Sequence, residues 1–162
     1  MVQAVNISRR NLLQGRATHT PAPLRPPGAI SAFADACTAC GDCVSACPES
    51  IIVAGSGAFP EIDFRRGNCT FCSACIDACE EGALSPAIRP PIQVRLEVMD
   101  SCLARRQIVC QSCGDACEAQ AIGFPPQLGV VAIPRIDQDA CTSCGACINA
   151  CPEDALRGAA SG

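Results

Sequence analysis

Residues 37–48 read CTACGDCVSACP, and the spacing of their cysteines decides the fold. The same C-x2-C-x2-C-x3-C pattern returns as CTFCSACIDACE in residues 69–80 and as CTSCGACINACP in residues 141–152. Thiolates at this spacing hold [4Fe–4S] clusters, with three cysteines of a run on one cluster and the fourth on another. The chain is therefore predicted to carry iron–sulfur clusters on motifs that work in pairs.

All 16 cysteines of the 162-residue chain fall into four such runs, and none is left over. Each run supplies four thiolates, so the cofactors expected are four [4Fe–4S] clusters, or three if the irregular third run is incomplete. The predicted cluster and metal ligands are Cys37, Cys40, Cys43, Cys47, Cys69, Cys72, Cys75, Cys79, Cys102, Cys110, Cys113, Cys117, Cys141, Cys144, Cys147 and Cys151.

The third run departs from the pattern. Seven residues, 103–109, separate Cys102 from Cys110, where the other runs have two. A longer loop can still bring Cys102 back to a cluster, and we expect a complete fourth site. The alternatives are a three-cysteine or labile site, and a Cys102 that stays a free thiol.

Two other uses of cysteine compete with this interpretation. Disulfides suit secreted chains, and no cleavable signal peptide is visible. Four-thiolate zinc sites use two separated C-x2-C knuckles, which would leave the third cysteine of each triple without a role. Four matched runs favour clusters over both.

The expected fold class is α+β: tandem ferredoxin-like [4Fe–4S] modules, each with two clusters, after an irregular N-terminal tail. Each run is expected to form a loop, then a helix of one or two turns across its last three-residue step, then a short strand. The predicted boundaries are 1–31 for an Arg/Pro-rich tail, 32–87 for the module of runs one and two, and 94–157 for the module of runs three and four.

Two pairings of the runs are open. Sequential pairing places Cys79 with run one and Cys47 with run two, and exchanges Cys151 and Cys117 between runs three and four. A nested arrangement pairs run one with run four and run two with run three. The intervals between runs are alike in length, so spacing does not decide between these pairings.

Composition limits both the core and the partners. Val, Ile, Leu and Phe together number 35 of 162 residues, and Trp and Tyr are absent, so the apolar core is small. Beyond residue 34 the chain carries 8 Arg and 16 Asp and Glu. This acidic body suits a basic redox partner, or is an ordinary soluble surface, and it argues against nucleic acid. No segment has the apolar length of a membrane span.

The first residues contain a pair of arginines. Residues 8–13, SRRNLL, resemble the start of a twin-arginine export signal, but residues 14–21, QGRATHTP, supply neither an apolar region nor a cleavage site. We therefore expect a cytoplasmic location. The segment is either a recognition element or a solvated tail, and His19 within it is expected to be exposed.

These features together resemble the NapF family, the ferredoxin-type accessory proteins of periplasmic nitrate reductase systems. The resemblance covers nearly the whole chain and rests on the SRRNLL start with Gly15-Arg16, the Arg25-Pro26-Pro27 stretch, the three regular runs and the irregular third run. Gly28 stands where the family pattern suggests an aromatic residue, and Glu80 where it suggests proline.

The resemblance implies a cytoplasmic protein that binds the catalytic subunit, NapA, before its export and assists its maturation. That assistance would be help with cluster acquisition, or the supply of electrons. The alternatives are an electron-transfer ferredoxin between redox partners, and a structural iron–sulfur module or iron store. The residues show no acid–base pair, nucleophile or phosphate loop, so the chain is not expected to be an enzyme.

A chain with so little apolar surface needs its metal to fold. We predict that chelating the iron of the anaerobically purified protein unfolds the chain, with loss of its far-ultraviolet circular dichroism. An iron-free form that kept the native spectrum would contradict this prediction.

Overall fold

The computed structural model describes residues 23–88, 92 and 94–160. The twin arginine, His19 and the proline pair at 90–91 lie outside this part of the chain. The described helices are α1 (Phe33–Ala36), α2 (Asp42–Ala46), α3 (Ala74–Asp77), α4 (Ser112–Asp115) and α5 (Ala146–Asn149). The described strands are β1 (Ile52–Ala54), β2 (Pro60–Ile62), β3 (Val94–Val98), β4 (Ile122–Gly123), β5 (Arg135–Ile136) and β6 (Leu156–Ala160).

The strands pair in the same way in both halves. Between runs one and two, β1 pairs antiparallel with β2, and between runs three and four, β4 pairs antiparallel with β5. An outer pair then brings the ends of each half together: β3 with β6 in the second half, and the single bridge Ala29–Leu84 in the first. Short helices and small antiparallel sheets confirm the mixed helix and strand fold class.

The repeat in sequence is also a repeat in backbone conformation, because the same positions take left-handed φ angles in successive runs. The residues just before the second cysteine are Ala39, Phe71 and Ser143, with φ of 56°, 57° and 61°. The residues just after it are Gly41, Ser73 and Gly145, with φ of 88°, 66° and 84°. These two reversals fold each run into a loop, and α2, α3 and α5 begin directly after the second one.

The third run differs in backbone as it does in sequence. Gln111, which follows Cys110, has a φ of −132°, outside the left-handed region. The left-handed residue lies earlier, at Gln107, with a φ of 63°. There the amide of Ile108 donates to the carbonyl of Leu103 at 2.9 Å, which turns the inserted loop back toward Cys110.

The core is a single cluster of buried side chains that runs through both halves. Its large members include Phe33, Phe64, Ile76, Leu96, Ile148 and Leu156. Buried residues also recur directly after the short turn that follows each fourth cysteine: Ile51, Ala83, Ala121 and Ala155, each 3% exposed or less. The fourth residue after the last cysteine of a run is thus buried in every repeat.

The last residues of the predicted tail pack against the first half. The amide of Ile62 donates to the carbonyl of Leu24 at 2.8 Å, and the Arg25 guanidinium lies 5.2 Å from the ring centre of Phe33. Gly28 has a φ of 79°, and a Cβ there would lie 2.6 Å from the carbonyl oxygen of Ser85. A side chain at this position would clash with that oxygen, so this backbone conformation requires glycine.

No helix in the described residues is long and apolar enough to cross a membrane.

One side chain completes the free edge of β3. Gln138 donates from Nε2 to the Leu96 carbonyl at 2.9 Å and accepts from the Leu96 amide at 3.2 Å. We predict that Gln138→Met lowers the free energy of unfolding by about 2 kcal/mol, since two hydrogen bonds at about 1 kcal/mol each are lost. Urea titration of the anaerobic protein, followed by circular dichroism, measures this change. Gln127→Met, at an exposed position, is the control, and equal midpoints in the two variants would contradict the prediction.

Candidate metal centres

Three cysteines of run one and the last cysteine of run two line one cavity, which we call site A. Its thiols are Cys37, Cys40, Cys43 and Cys79. The loop of run one presents the first three, and Cys79 lies two residues after the end of α3. Burial raises the pKa of Cys43, and the thiolates of Cys37, Cys40 and Cys79 raise it further.

The reciprocal set lines a second cavity, site B, with thiols Cys47, Cys69, Cys72 and Cys75. Cys69 and Cys75 are buried, whereas Cys72 is exposed. Phe71, 40% exposed, also lines the cavity, so the cavity reaches the surface of the protein.

Run four contributes three thiols to site C, which we define as Cys117, Cys141, Cys144 and Cys147. Burial raises the pKa of Cys147 to about 12, and the charges of Cys141, Cys144, Cys113 and Cys117 raise it in the same direction. Cys113 and Cys117 of run three therefore both lie near the loop of run four, and Cys117 is assigned to site C because Cys113 lines the cavity of site D.

Site D contains the cysteines of the irregular run. Cys102, Cys110 and Cys113 line one cavity together with Cys151, the last cysteine of run four. The amide of Arg106 donates to the carbonyl of Cys102 at 3.1 Å, so a tight turn follows this cysteine. The inserted loop thus returns Cys102 to the other thiols, as a complete fourth site requires.

The four groups match sequential pairing of the runs. In each half the last cysteines are exchanged, Cys79 for Cys47 and Cys151 for Cys117. The nested arrangement would instead have brought Cys47 and Cys151 to each other's runs. The hairpins β1–β2 and β4–β5 explain the outcome, because each folds its two neighbouring runs back onto one another.

Buried thiols hold their protons tightly without a metal. Burial raises the pKa of Cys75 to about 12, with the Cys69, Cys47, Cys43 and Cys72 charges adding to it. Burial also raises the pKa of Cys113 to about 11. At neutral pH these groups are thiols, so iron binding must displace their protons. The positive charge of the iron then compensates the negative charges of the four neighbouring thiolates.

Backbone amides point at several sulfurs. Phe71 donates to Cys69 Sγ and Ser143 donates to Cys141 Sγ, both at 3.4 Å. Ala121 donates to Cys117 Sγ at 3.3 Å and Ala155 to Cys151 Sγ at 3.2 Å. Such bonds favour the thiolate and tune a bound cluster. Phe71 and Ser143, the donors of the first two bonds, have left-handed φ angles and directly precede the second cysteine of their runs. The sequence alone does not reveal this conformation.

The donor sets fit a cluster better than a single ion. Within residues 23–88, 92 and 94–160, no group of three or more His, Cys, Asp or Glu side chains is arranged to hold one metal ion. A zinc ion would draw four sulfurs to about 2.3 Å from one point. A cubane carries its four ligands on separate iron atoms, so its thiolates need not converge on one point.

Comparison with known proteins supports iron–sulfur binding. The family model described as "4Fe-4S dicluster domain" matches residues 36–84, and that described as "4Fe-4S binding domain" matches residues 134–157. The chain is 45% identical to the "Ferredoxin-type protein NapF" of Haemophilus influenzae, over 82% of this chain and 77% of the relative. It is 36% identical to the protein of that name from Escherichia coli, over 94% of both chains. A "Methylamine utilization ferredoxin-type protein MauM" from Methylobacillus flagellatus is 32% identical, over 86% of this chain and 68% of the relative.

The grouping at site D predicts how double variants behave. Cys102→Ala and Cys151→Ala should each remove about four irons, and the double variant should also lose about four, since both thiols serve one cluster. The measurement is iron and acid-labile sulfide per chain after anaerobic purification. The matched control is Cys102→Ala with Cys117→Ala, which should lose about eight irons because sites D and C are both damaged. A loss of about eight with the first pair would contradict the grouping.

Proposed function

The chain belongs to the NapF family of ferredoxin-type proteins, and we propose that it is an accessory protein that matures the catalytic subunit of periplasmic nitrate reductase. In this proposal the chain carries four [4Fe–4S] clusters on its 16 cysteines and binds the precursor of the catalytic subunit, NapA, in the cytoplasm before export. The observation that carries the proposal is the set of four thiol groups in a chain that matches a NapF protein over 94% of both lengths.

In this proposal, cysteine thiolates and backbone amides of the chain bind and stabilise the clusters. Thiolates of sites A to D would hold the clusters, and the amides of Phe71, Ser143, Ala121 and Ala155 would stabilise the sulfur charge. Bound clusters of this type accept and donate single electrons. The chain would then assist the precursor in acquiring its own cluster or by supplying electrons to it.

We propose that electrostatic attraction contributes to partner binding. The body beyond residue 34 carries twice as many acidic residues as arginines, which suits a partner with a basic surface. The tail is the opposite: residues 1–34 carry four arginines and no acid. We assign the adjacent Arg9 and Arg10 to partner recognition, since two cations in succession make a compact recognition element.

Electron transfer between mature redox partners is the second candidate function. Its support is the exchange of Cys47 with Cys79 and of Cys117 with Cys151, which makes the two sites of each half neighbours. Neighbouring clusters shorten each electron step. A carrier of this kind would bind the mature enzyme or its reductant, whereas a maturation factor would bind the precursor.

The test is capture of the catalytic subunit by the tagged, cluster-loaded chain under anaerobic conditions. We expect retention of the precursor with its export signal and at least roughly tenfold weaker retention of the mature subunit, a difference of about 1.4 kcal/mol. Arg9→Ala with Arg10→Ala should weaken precursor capture. Arg105→Ala with Arg106→Ala is the matched control, because these adjacent arginines form exposed ion pairs on the body. Preferential retention of the mature subunit would support the carrier function instead.

A further inference from the structure

Sites B and C belong to different halves, yet their loops are hydrogen-bonded to each other. The amide of Cys69, the first cysteine of run two, donates to the carbonyl of Cys144, the second cysteine of run four, at 2.8 Å. Both residues carry a thiol of their own site. The two loops therefore meet backbone to backbone, with no side chain between them at this point.

A close fit beside this bond holds the loops together. Phe64, 4% exposed, comes just before run two, and its ring faces Gly145, which comes just after Cys144. A Cβ on Gly145 would overlap the ring of Phe64. The glycine thus allows the aromatic ring of one half to lie directly against the loop of the other.

The cavity of site B is also completed by the other half. Besides its own four thiols, residues 139–142 line it, including Cys141 of site C. The wall between the two sites is therefore formed by run four itself. An exposed ion pair between Arg65 and Asp154, 3.9 Å apart, joins the same two halves.

These contacts give the four sites a linear order. Sites A and B are linked because runs one and two exchange Cys79 and Cys47, and sites C and D because runs three and four exchange Cys151 and Cys117. The hydrogen bond from Cys69 to Cys144 joins B to C. The contacts therefore connect the sites in the order A, B, C, D.

We propose that the chain conducts single electrons along this whole row, and that electrons cross between the halves at the Cys69–Cys144 contact. Clusters held by the thiols of sites B and C would supply the redox chemistry of this crossing: one electron would pass from the reduced group to the oxidised one, with no bond made or broken. Cys69 and Cys144 would bring the two groups together. The inference rests on the cluster ligands of the proposed function and is independent of which partner is bound.

The test compares two glycines at equivalent positions. Gly41 and Gly145 both follow the second cysteine of a run and have nearly equal φ of 88° and 84°, but a Cβ at Gly41 meets nothing within 4 Å. Gly145→Ala therefore adds the clash with Phe64 to the backbone strain, whereas Gly41→Ala adds the strain alone. Each variant and the wild-type chain are reduced with dithionite, and electron paramagnetic resonance spectra are recorded at two microwave frequencies to separate spin–spin splitting from g anisotropy.

We expect wild type and Gly41→Ala to show spin–spin interaction across four sites. Gly145→Ala, at unchanged iron and sulfide content, should lose the interaction between the halves and leave the spectrum of two separate pairs. Phe64→Ala in the Gly145→Ala background should restore it, because alanine lacks the Cγ and ring atoms that the new methyl group overlaps. Restoration separates this effect from a general loss of folding.

Two results would overturn the inference. One is a wild-type spectrum that two isolated pairs describe fully, which needs no variant to fold. The other is a Gly145→Ala spectrum identical to that of wild type at full iron content. Capture of the precursor by the same proteins reports on the proposed function separately, since a chain that binds the precursor but shows two isolated pairs refutes only the electron path.

Discussion

The structure depends on one electrostatic constraint: each site brings four cysteine sulfurs together at partly buried positions, where the negatively charged thiolate form is unfavourable. Burial raises the pKa of Cys43, Cys69, Cys75, Cys113 and Cys147, so each would remain a thiol without a metal. Iron makes the thiolate form stable there and joins segments that the small apolar core could not hold. Because the fourth cysteine of each run lies with its neighbour's thiols, each pair of runs is fastened at two points.

Local features of the chain could be predicted from sequence because they repeat. The cysteine spacing predicts the short helices observed as α3 and α5, and the repeat predicts a short strand after a run, observed as β1 and β6. The pairing of runs could not be derived, since the intervals are alike. The strand pairs β1–β2 and β4–β5 determine it, and these form between segments too short for a periodic signal.

Residues that make contacts with distant segments are also not recognisable from sequence, because such contacts leave no local or periodic pattern. The sequence places Arg25 and the segment to Gly28 in the tail, yet Arg25 lies over Phe33 and Phe59, and Gly28 packs against Ser85. Their sequence context, rich in proline and without apolar periodicity, resembles a linker. Only the folded chain shows that these residues take the place of the first strand of the module, where β3 lies in the second half.

The two glycines after the second cysteines show how one motif serves two purposes. Gly41 and Gly145 adopt the same left-handed conformation, which the loop of a run requires, and Ser73 shows that a side chain can be accommodated in it. Conformation alone therefore does not demand glycine at 145. The ring of Phe64 does, since it occupies the space that a Cβ would need. The local motif forms each site, whereas contacts between the halves, with the Phe64–Gly145 packing among them, bring the loops of sites B and C together.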